Sequence, residues 1–383
     1  VGGASMIARA LGSKNVTDAK RIASVSFWGG VVSSVLFSGL FFGFACPILT
    51  LCGATADIYP VVFDYAKWVI VIGGPFTILN TLLANLVRAQ GSAVHASVGV
   101  SMGGILNIIL DPFLVLPQFA GLGVVGAGVA TALSNMAAVV YFLVYLLLRR
   151  KTAIVSIHPR HLCYTLKYIK GILAIGFPSA LQNALTVVSI AAQSRFVSKY
   201  ATEAVAGLGI VKKLDQLPLY FSIGVSNGLL PLLAYHHANG NHTRRQRAFR
   251  FGCFVSLGFS LLCLVVYELF SPQLSALFIK DTATVQYSAA FLRIMVLAMP
   301  MMSVCYPMII QFQAIGQVKA ALVTSVLRKG LLDIPLLFIL DAVLPLYGCM
   351  IVQPVVDTIS LIVAVGFYRK IQRRQNRQQN AVV

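Results

Sequence analysis

Apolar runs long enough to cross a bilayer recur along the whole length of this chain. A span of helix needs about 20 such residues, at 1.5 Å of rise each. Repetition of this kind excludes a single anchor or a signal peptide. Of the 383 residues, 58% are hydrophobic and 11% charged, whereas a water-soluble domain carries roughly 25% charged residues. A membrane-spanning barrel would show alternating segments of about 10 residues, but residues 22–49 and 251–270 are almost continuously apolar. Only helices satisfy their own backbone hydrogen bonds in such segments, so the expected fold class is an all-α membrane protein.

Charged or Gly/Pro-rich breaks divide the chain into ten complete spans at about residues 20–50, 57–89, 93–117, 121–149, 168–198, 203–237, 247–271, 283–315, 318–343 and 347–371. Residues 1–12 read as the tail of another span, as if the sequence began inside a helix. Alternation of sides can be tested by where Lys and Arg collect. One set of loops holds 21 of them, among them Lys14, Lys20, Arg21, Arg149, Arg150, Lys151, Arg160, Arg244 and Arg247, whereas the opposite set holds only Lys199 and Lys280. The bias predicts a cytoplasmic C-terminus. It also accounts for the formal charge of +19 without nucleic acid. The basic tail 369–377 serves this topology, with anionic lipid as a second reading.

The sequence repeats itself at an offset of 225, with Pro75 matching Pro300, Ala89 and Gly91 matching Ala314 and Gly316, and Gly123 matching Gly348. Two halves of the same orientation predict six helices each, related by a pseudo-two-fold axis along the membrane normal. The boundaries are an N-lobe at 1–150, a cytoplasmic linker at 151–167 and a C-lobe at 168–383, with the first helix and most of the second absent from the sequence.

Several motifs invite chemistry that their context refuses. Residues 121–126 fit GxGxxG, but no strand precedes them, so close packing of small residues is the better reading. The six histidines (His95, His158, His161, His236, His237, His242) are expected in cytoplasmic loops, with no neighbouring ligands to complete a metal site. Seven cysteines show no CxxC pair and read as packing residues. Asn15-Val16-Thr17 and Asn241-His242-Thr243 match the glycosylation sequon on the expected inner face, and read as chance.

Charges inside the apolar spans carry more information, because burying one costs several kcal/mol unless it is paired or hydrated. Lys213, Arg293, Asp333 and Asp357 each fall about 10 residues from an outer boundary, and Asp215 about 12, or roughly 15–18 Å deep. Local ion pairs such as Lys212 with Asp215 and Lys329 with Asp333 would explain them. So would a hydrated cavity whose carboxylates Asp215, Asp333 and Asp357 bind a coupling ion. Asn107, Asn135, Gln182 and Asn183 add uncharged polarity near mid-depth. Five methionines, including Met299 and Met302, crowd one span near Tyr306; they offer either core packing or a soft surface for apolar ligands.

Taken together, Gly2-Gly3-Ala4-Ser5, Ala8-Arg9-Ala10-Leu11-Gly12, Val87-Arg88-Ala89-Gln90-Gly91, Leu106-Asn107-Ile108-Ile109-Leu110-Asp111-Pro112, residues 121–131 and Gly176-Phe177-Pro178 resemble signatures of multidrug and toxic compound extrusion (MATE) transporters. Residues 205–215 and 231–235 are similar to the DinF-like and MepA-like branches. The resemblance implies a monomer of two six-helix lobes in the inner (plasma) membrane, with a substrate cavity between them. It would export small drug-like, often cationic compounds against protons or sodium ions, without a cofactor. No coupling carboxylate transfers from the family, because the first helix is absent here and neither 168–198 nor 283–315 contains one. The rival readings are a lipid-linked sugar flippase of the same superfamily, a membrane-embedded lipid-modifying enzyme, and a receptor-like binding protein.

Overall fold

In the computed structural model, residues 1–51, 56–149, 155, 158–159 and 165–380 are described. Cys52, Cys163, His161, Arg150, Lys151, Arg160 and most of the expected linker lie outside the described residues. Every regular element among the described residues is helical. The chain divides into two compact units, residues 3–172 and residues 173–383 with Val1 and Gly2.

The first unit contains α1 (Gly2–Gly12), α2 (Val16–Gly43), α3 (Ala45–Leu51), α4 (Tyr59–Ala66), α5 (Gly73–Ala89), α6 (Ala93–Val115) and α7 (Gly123–Leu148). A π-helical turn, Lys67–Ile72, joins α4 to α5. Helix α7 packs against α5 and α6, and α2 lies on α5. Gly99 on α6 makes the α6–α7 approach close, since any β-carbon there would run into the Phe142 ring.

The second unit holds α8 (Thr165–Val197, which begins just before the boundary), α9 (Thr202–Ala238), α10 (His242–Ala276), α11 (Thr282–Val296), α12 (Met299–Ala314), α13 (Val318–Val326), α14 (Asp333–Val343) and α15 (Gly348–Asn380). Helix α9 packs on α10, α11 and α12, and α15 on α12 and α14. Their shared core includes Leu208, Phe291, Leu292, Met295, Met299, Met350 and Val356. Asp281 caps α11 by accepting from the backbone N–H and the hydroxyl of Thr284. Those bonds to the ionised form hold its carboxyl below the usual range.

Eight helices are long and apolar enough to cross a membrane among the described residues, with a ninth if the bent pair α11 and α12, 48° apart, counts as one span. The tenth expected span, 318–343, is interrupted by a π-helical turn at Leu327–Leu331. Arg328, Lys329 and Asp333 sit at this interruption, and their polar demands replace a continuous apolar helix. The histidine expectation also needs correction. His95 lies in α6, His236 and His237 in the last turn of α9, and His242 at the start of α10. These helices run on past their apolar stretches, so the residues at their ends are helical rather than looped.

Backbone geometry repeats where the sequence does. Gly91 and Gly316 both take left-handed φ, at 97° and 74°. Each donates its N–H three residues back, Gly91 to Arg88 and Gly316 to Gln313, at 3.0 and 3.2 Å. This is the helix-ending geometry glycine permits without a β-carbon clash. The sequon-like pairs share the symmetry. Asn15 caps α2 by accepting from the N–H of Asp18, and Asn241 caps α10 by accepting from that of Arg244. Their backbone angles nearly coincide (φ −93°, ψ 77° and φ −86°, ψ 74°). Thus the Asn-x-Thr pattern recurs because both residues are helix caps.

Candidate functional site

Six parts of the second unit bring polar side chains into one buried cluster. The π turn after α13 supplies Arg328 and Lys329, and the start of α14 supplies Asp333. Arg328 and Asp357 on α15 form an ion pair at 2.6 Å with side chains only 1% and 0% exposed. Gln353, one turn before Asp357, donates from Nε2 to its second carboxylate oxygen at 2.8 Å and accepts Lys329 Nζ on Oε1 at 2.9 Å. The guanidinium of Arg328 also lies 4.5 Å from the ring centre of Tyr306 on α12, a cation–π contact that offsets part of its lost hydration. Helix α8 adds Ser189, whose hydroxyl donates to Asp333. Two turns earlier on the same face of α8, Gln182 accepts from Ser325 on α13 at 3.2 Å.

Lys212 and Asp215 on α9 complete the set. Asp215 feels the charges of Lys212, Lys329, Asp357 and Arg328, and Lys212 those of Lys329, Asp333 and Asp357. Three carboxylates therefore face three cations. Desolvating this many ions would be prohibitive singly, several kcal/mol each, and is tolerable only because opposite signs balance and Asp357, Lys329 and Asp333 each have a hydrogen-bond partner. The local pairing of Lys329 with Asp333 does not form: Lys329 turns to Gln353 and Asp333 to Ser189.

The repeat shows how one-sided this cluster is. At the offset of 225, Arg328, Lys329, Gln353, Asp357 and Asp333 correspond to Gly103, Gly104, Gly128, Ala132 and Ile108. In the first unit none of these carries a charge: Gly103 lets an unbroken α6 lie against Ala138 and Ser134 of α7, Gly128 lies against Tyr65 and Trp68, and Gly104 and Ile108 are exposed. Its polarity, apart from Asp111, is uncharged and sits elsewhere. Asn80 Nδ2 donates to Asn135 Oδ1 at 3.0 Å, and Asn135 Nδ2 donates to the Thr131 carbonyl at 2.9 Å. Asn107 reaches Asp111 one turn on, at 3.5 Å.

Of the residues singled out from sequence, Asp333, Asp357, Asp215 and Gln182 come together here. Lys213 and Asn183 are exposed, on faces turned from the cluster. Arg293 is exposed as well, donating from Nε to the Ser271 hydroxyl at 3.0 Å. Met299 belongs to the packed core and Met302 is buried, whereas Tyr306 lies against Arg328. Sequence reasoning missed Arg328, Ser189, Gln353 and Asn80. Gln353 and Asp357, four residues apart on one helix, were the legible signal.

A family described as MatE matches residues 1–113 and 178–339. Multidrug export protein MepA of Staphylococcus aureus (strain bovine RF122 / ET3-1) is 28% identical over 351 residues, covering 91% of this chain and 76% of its own length. MepA of Staphylococcus saprophyticus is 27% identical over 365 residues, or 95% and 79% of the two chains. Among solved structures, a multidrug resistance MATE family transporter of the MOP superfamily in an outward-facing conformation superimposes with a TM-score of 0.90 at 21% identity, covering 98% of this chain and 84% of that one.

Proposed function

Since the chain belongs to the MatE family, we propose that it is a secondary multidrug exporter, driving small, often cationic organic compounds out of the cell by proton- or sodium-coupled antiport with alternating access. The MepA relatives are named as multidrug exporters, which supports the substrate class. The observation that carries the mechanism is the buried, charge-balanced cluster around Asp333 and Asp357. With all three carboxylates ionised its net charge is zero. Neutralising one of them leaves a cation in excess, in surroundings of low dielectric where Coulomb energies are large. A cationic compound nearby is then disfavoured. Ion and substrate thus oppose each other, which is the differential affinity that exchange requires.

The three carboxylates differ in their availability. Both oxygens of Asp357 are engaged, by Arg328 and Gln353, so it is the structural member. Among the described residues Asp333 holds only a serine hydroxyl, and Asp215 is half-buried. These two are the proposed coupling sites. A proton suits them better than sodium, because a proton needs one oxygen. A metal ion needs a shell of acceptors, and Gln353 Oε1 and Gln182 Oε1 are already occupied.

Further parts of the proposal are a plasma-membrane location, a cytoplasmic C-terminus, a monomer, and lobes at 1–150 and 168–383 joined by 151–167. The test is dye movement in vesicles containing the protein, under separately imposed proton and sodium gradients. Proton-driven movement of a cationic dye, lost in Asp333→Asn or Asp215→Asn with folding intact, is the expected result. Absence of gradient-driven movement of any cationic dye would overturn the export reading. Full coupling in both variants would return the carboxylates to a structural role.

A further inference from the structure

In the second unit the start of α10 and the end of α15 lie side by side. Gln246 Nε2 donates to Gln372 Oε1 at 2.9 Å, and the Phe249 ring stacks on Tyr368 with centroids 5.2 Å apart. Beside these contacts stand Arg247 and Arg250 on one helix and Arg369 and Arg373 on the other, all exposed. Their height is fixed by the chain on either side. Residues 251–267 of α10 and 358–368 of α15 contain no charge at all, so the arginines stand where the two apolar stretches leave the hydrocarbon. No Asp or Glu occurs at residues 239–267 or 358–383.

The other half of the repeat has a different arrangement. Where the second unit has Arg244, the first has Asp18 at the equivalent place after its Asn cap. Asp18 accepts from the Tyr168 hydroxyl at 2.6 Å and lies 3.5 Å from Arg21. Its carboxylate answers the basic residues around it. The same helix start in the second unit has a guanidinium instead, and nothing nearby in sequence to neutralise it. Sidedness of the chain would be served equally well by either arrangement, since carboxylates contribute little to it.

We infer that the arginine surface formed by the α10 start and the α15 end binds anionic phospholipid headgroups of the leaflet it meets. Charge complementarity and position select this partner. The cations sit at the headgroup level, where anionic lipid is always within reach and where each basic residue contributes attraction. Planar guanidinium groups match phosphate bidentately. A lipid phosphate shared between Arg250 and Arg369 would relieve the repulsion that the Phe249–Tyr368 stack imposes on them.

The test uses the purified whole protein in neutral detergent, titrated with phosphatidylglycerol or phosphatidylcholine, with bound lipid counted by native mass spectrometry. The four-site variant Arg247→Gln/Arg250→Gln/Arg369→Gln/Arg373→Gln should lower the preference for phosphatidylglycerol by about fivefold or more. Replacing the same four residues by Lys should keep the preference. An excess of inorganic phosphate should not displace the bound lipid. An unchanged preference in the Gln variant would overturn the inference and leave the arginines a topological role only. Equal loss in the Lys variant, or displacement by free phosphate, would overturn it too.

Discussion

Arg328 is buried and rests on one close carboxylate. Its side chain is 1% exposed, and among the described residues its ion pair is with Asp357 alone and its Nη1 atom finds no hydrogen-bond partner. Removing either member strands the other charge in an apolar interior. Arg328→Leu or Asp357→Leu should therefore cost about 3–5 kcal/mol, while the double replacement recovers most of that loss because neither member of the pair is left unmatched and the remaining charges still balance. Thermal unfolding of the three variants in one detergent checks this; equal losses that simply add would show that the pair is not coupled. The pair also marks the limit of sequence reading. Asp357 stood out as a carboxylate in an apolar run, but its partner lies 29 residues earlier, across a π turn that no local periodicity announces. Helical spacing pointed to Lys329 with Asp333 instead. The extra residue in the π turn rotates Lys329 away from that neighbour, and only the fold supplies Gln353.

At the scale of elements, much was legible because repeated residues solve repeated problems. Gly91 and Gly316 end helices in the left-handed region, and their common place in the sequence repeat pointed to them. The two Asn-x-Thr triplets were visible as well, but a pattern match to a sequon hid their shared role. Each Asn side chain accepts a backbone N–H at 3.0 or 3.1 Å, satisfying one donor that the first helical turn cannot. Asn15→Ala and Asn241→Ala should each cost about 1 kcal/mol, and Asn→Ser or Asn→Asp far less. Melting temperatures measured with the alanine and the serine variants side by side decide it: equal destabilisation by both would mean that the caps contribute nothing. The interruption at Leu327–Leu331 was not legible, since 318–343 is as apolar on average as its continuous counterpart α6. What separates them is Gly103 and Gly104 against Arg328 and Lys329. Gly103 packs closely on α7 and Gly104 faces outward, so neither interrupts the helix, whereas two buried cations demand partners, and the turn opens to give them.

Over the whole molecule, composition alone required a helical membrane protein, and the family match bears that out. Helix count suffered only where charge entered a span, so nine of the ten expected spans are recovered when the bent pair is taken as one. Sidedness rests on a separate physical basis, the 21-to-2 partition of Lys and Arg between alternate loops. It makes a prediction independent of transport. Lys280 lies between α10 and α11 and Lys319 at the start of α13, and both are exposed. A single helix pair, α11 with α12, connects them, so they must emerge on opposite sides if that bent pair crosses as one span. Lys280→Cys should react with a membrane-impermeant thiol reagent added to intact cells, and Lys319→Cys only after the membrane is opened, each read against the parent's own cysteines. The reverse pattern would invert the assigned orientation. Labelling of both from outside would mean that α11 and α12 dip into the bilayer and return, and the even alternation of sides on which the charge partition was counted would fail from that point on.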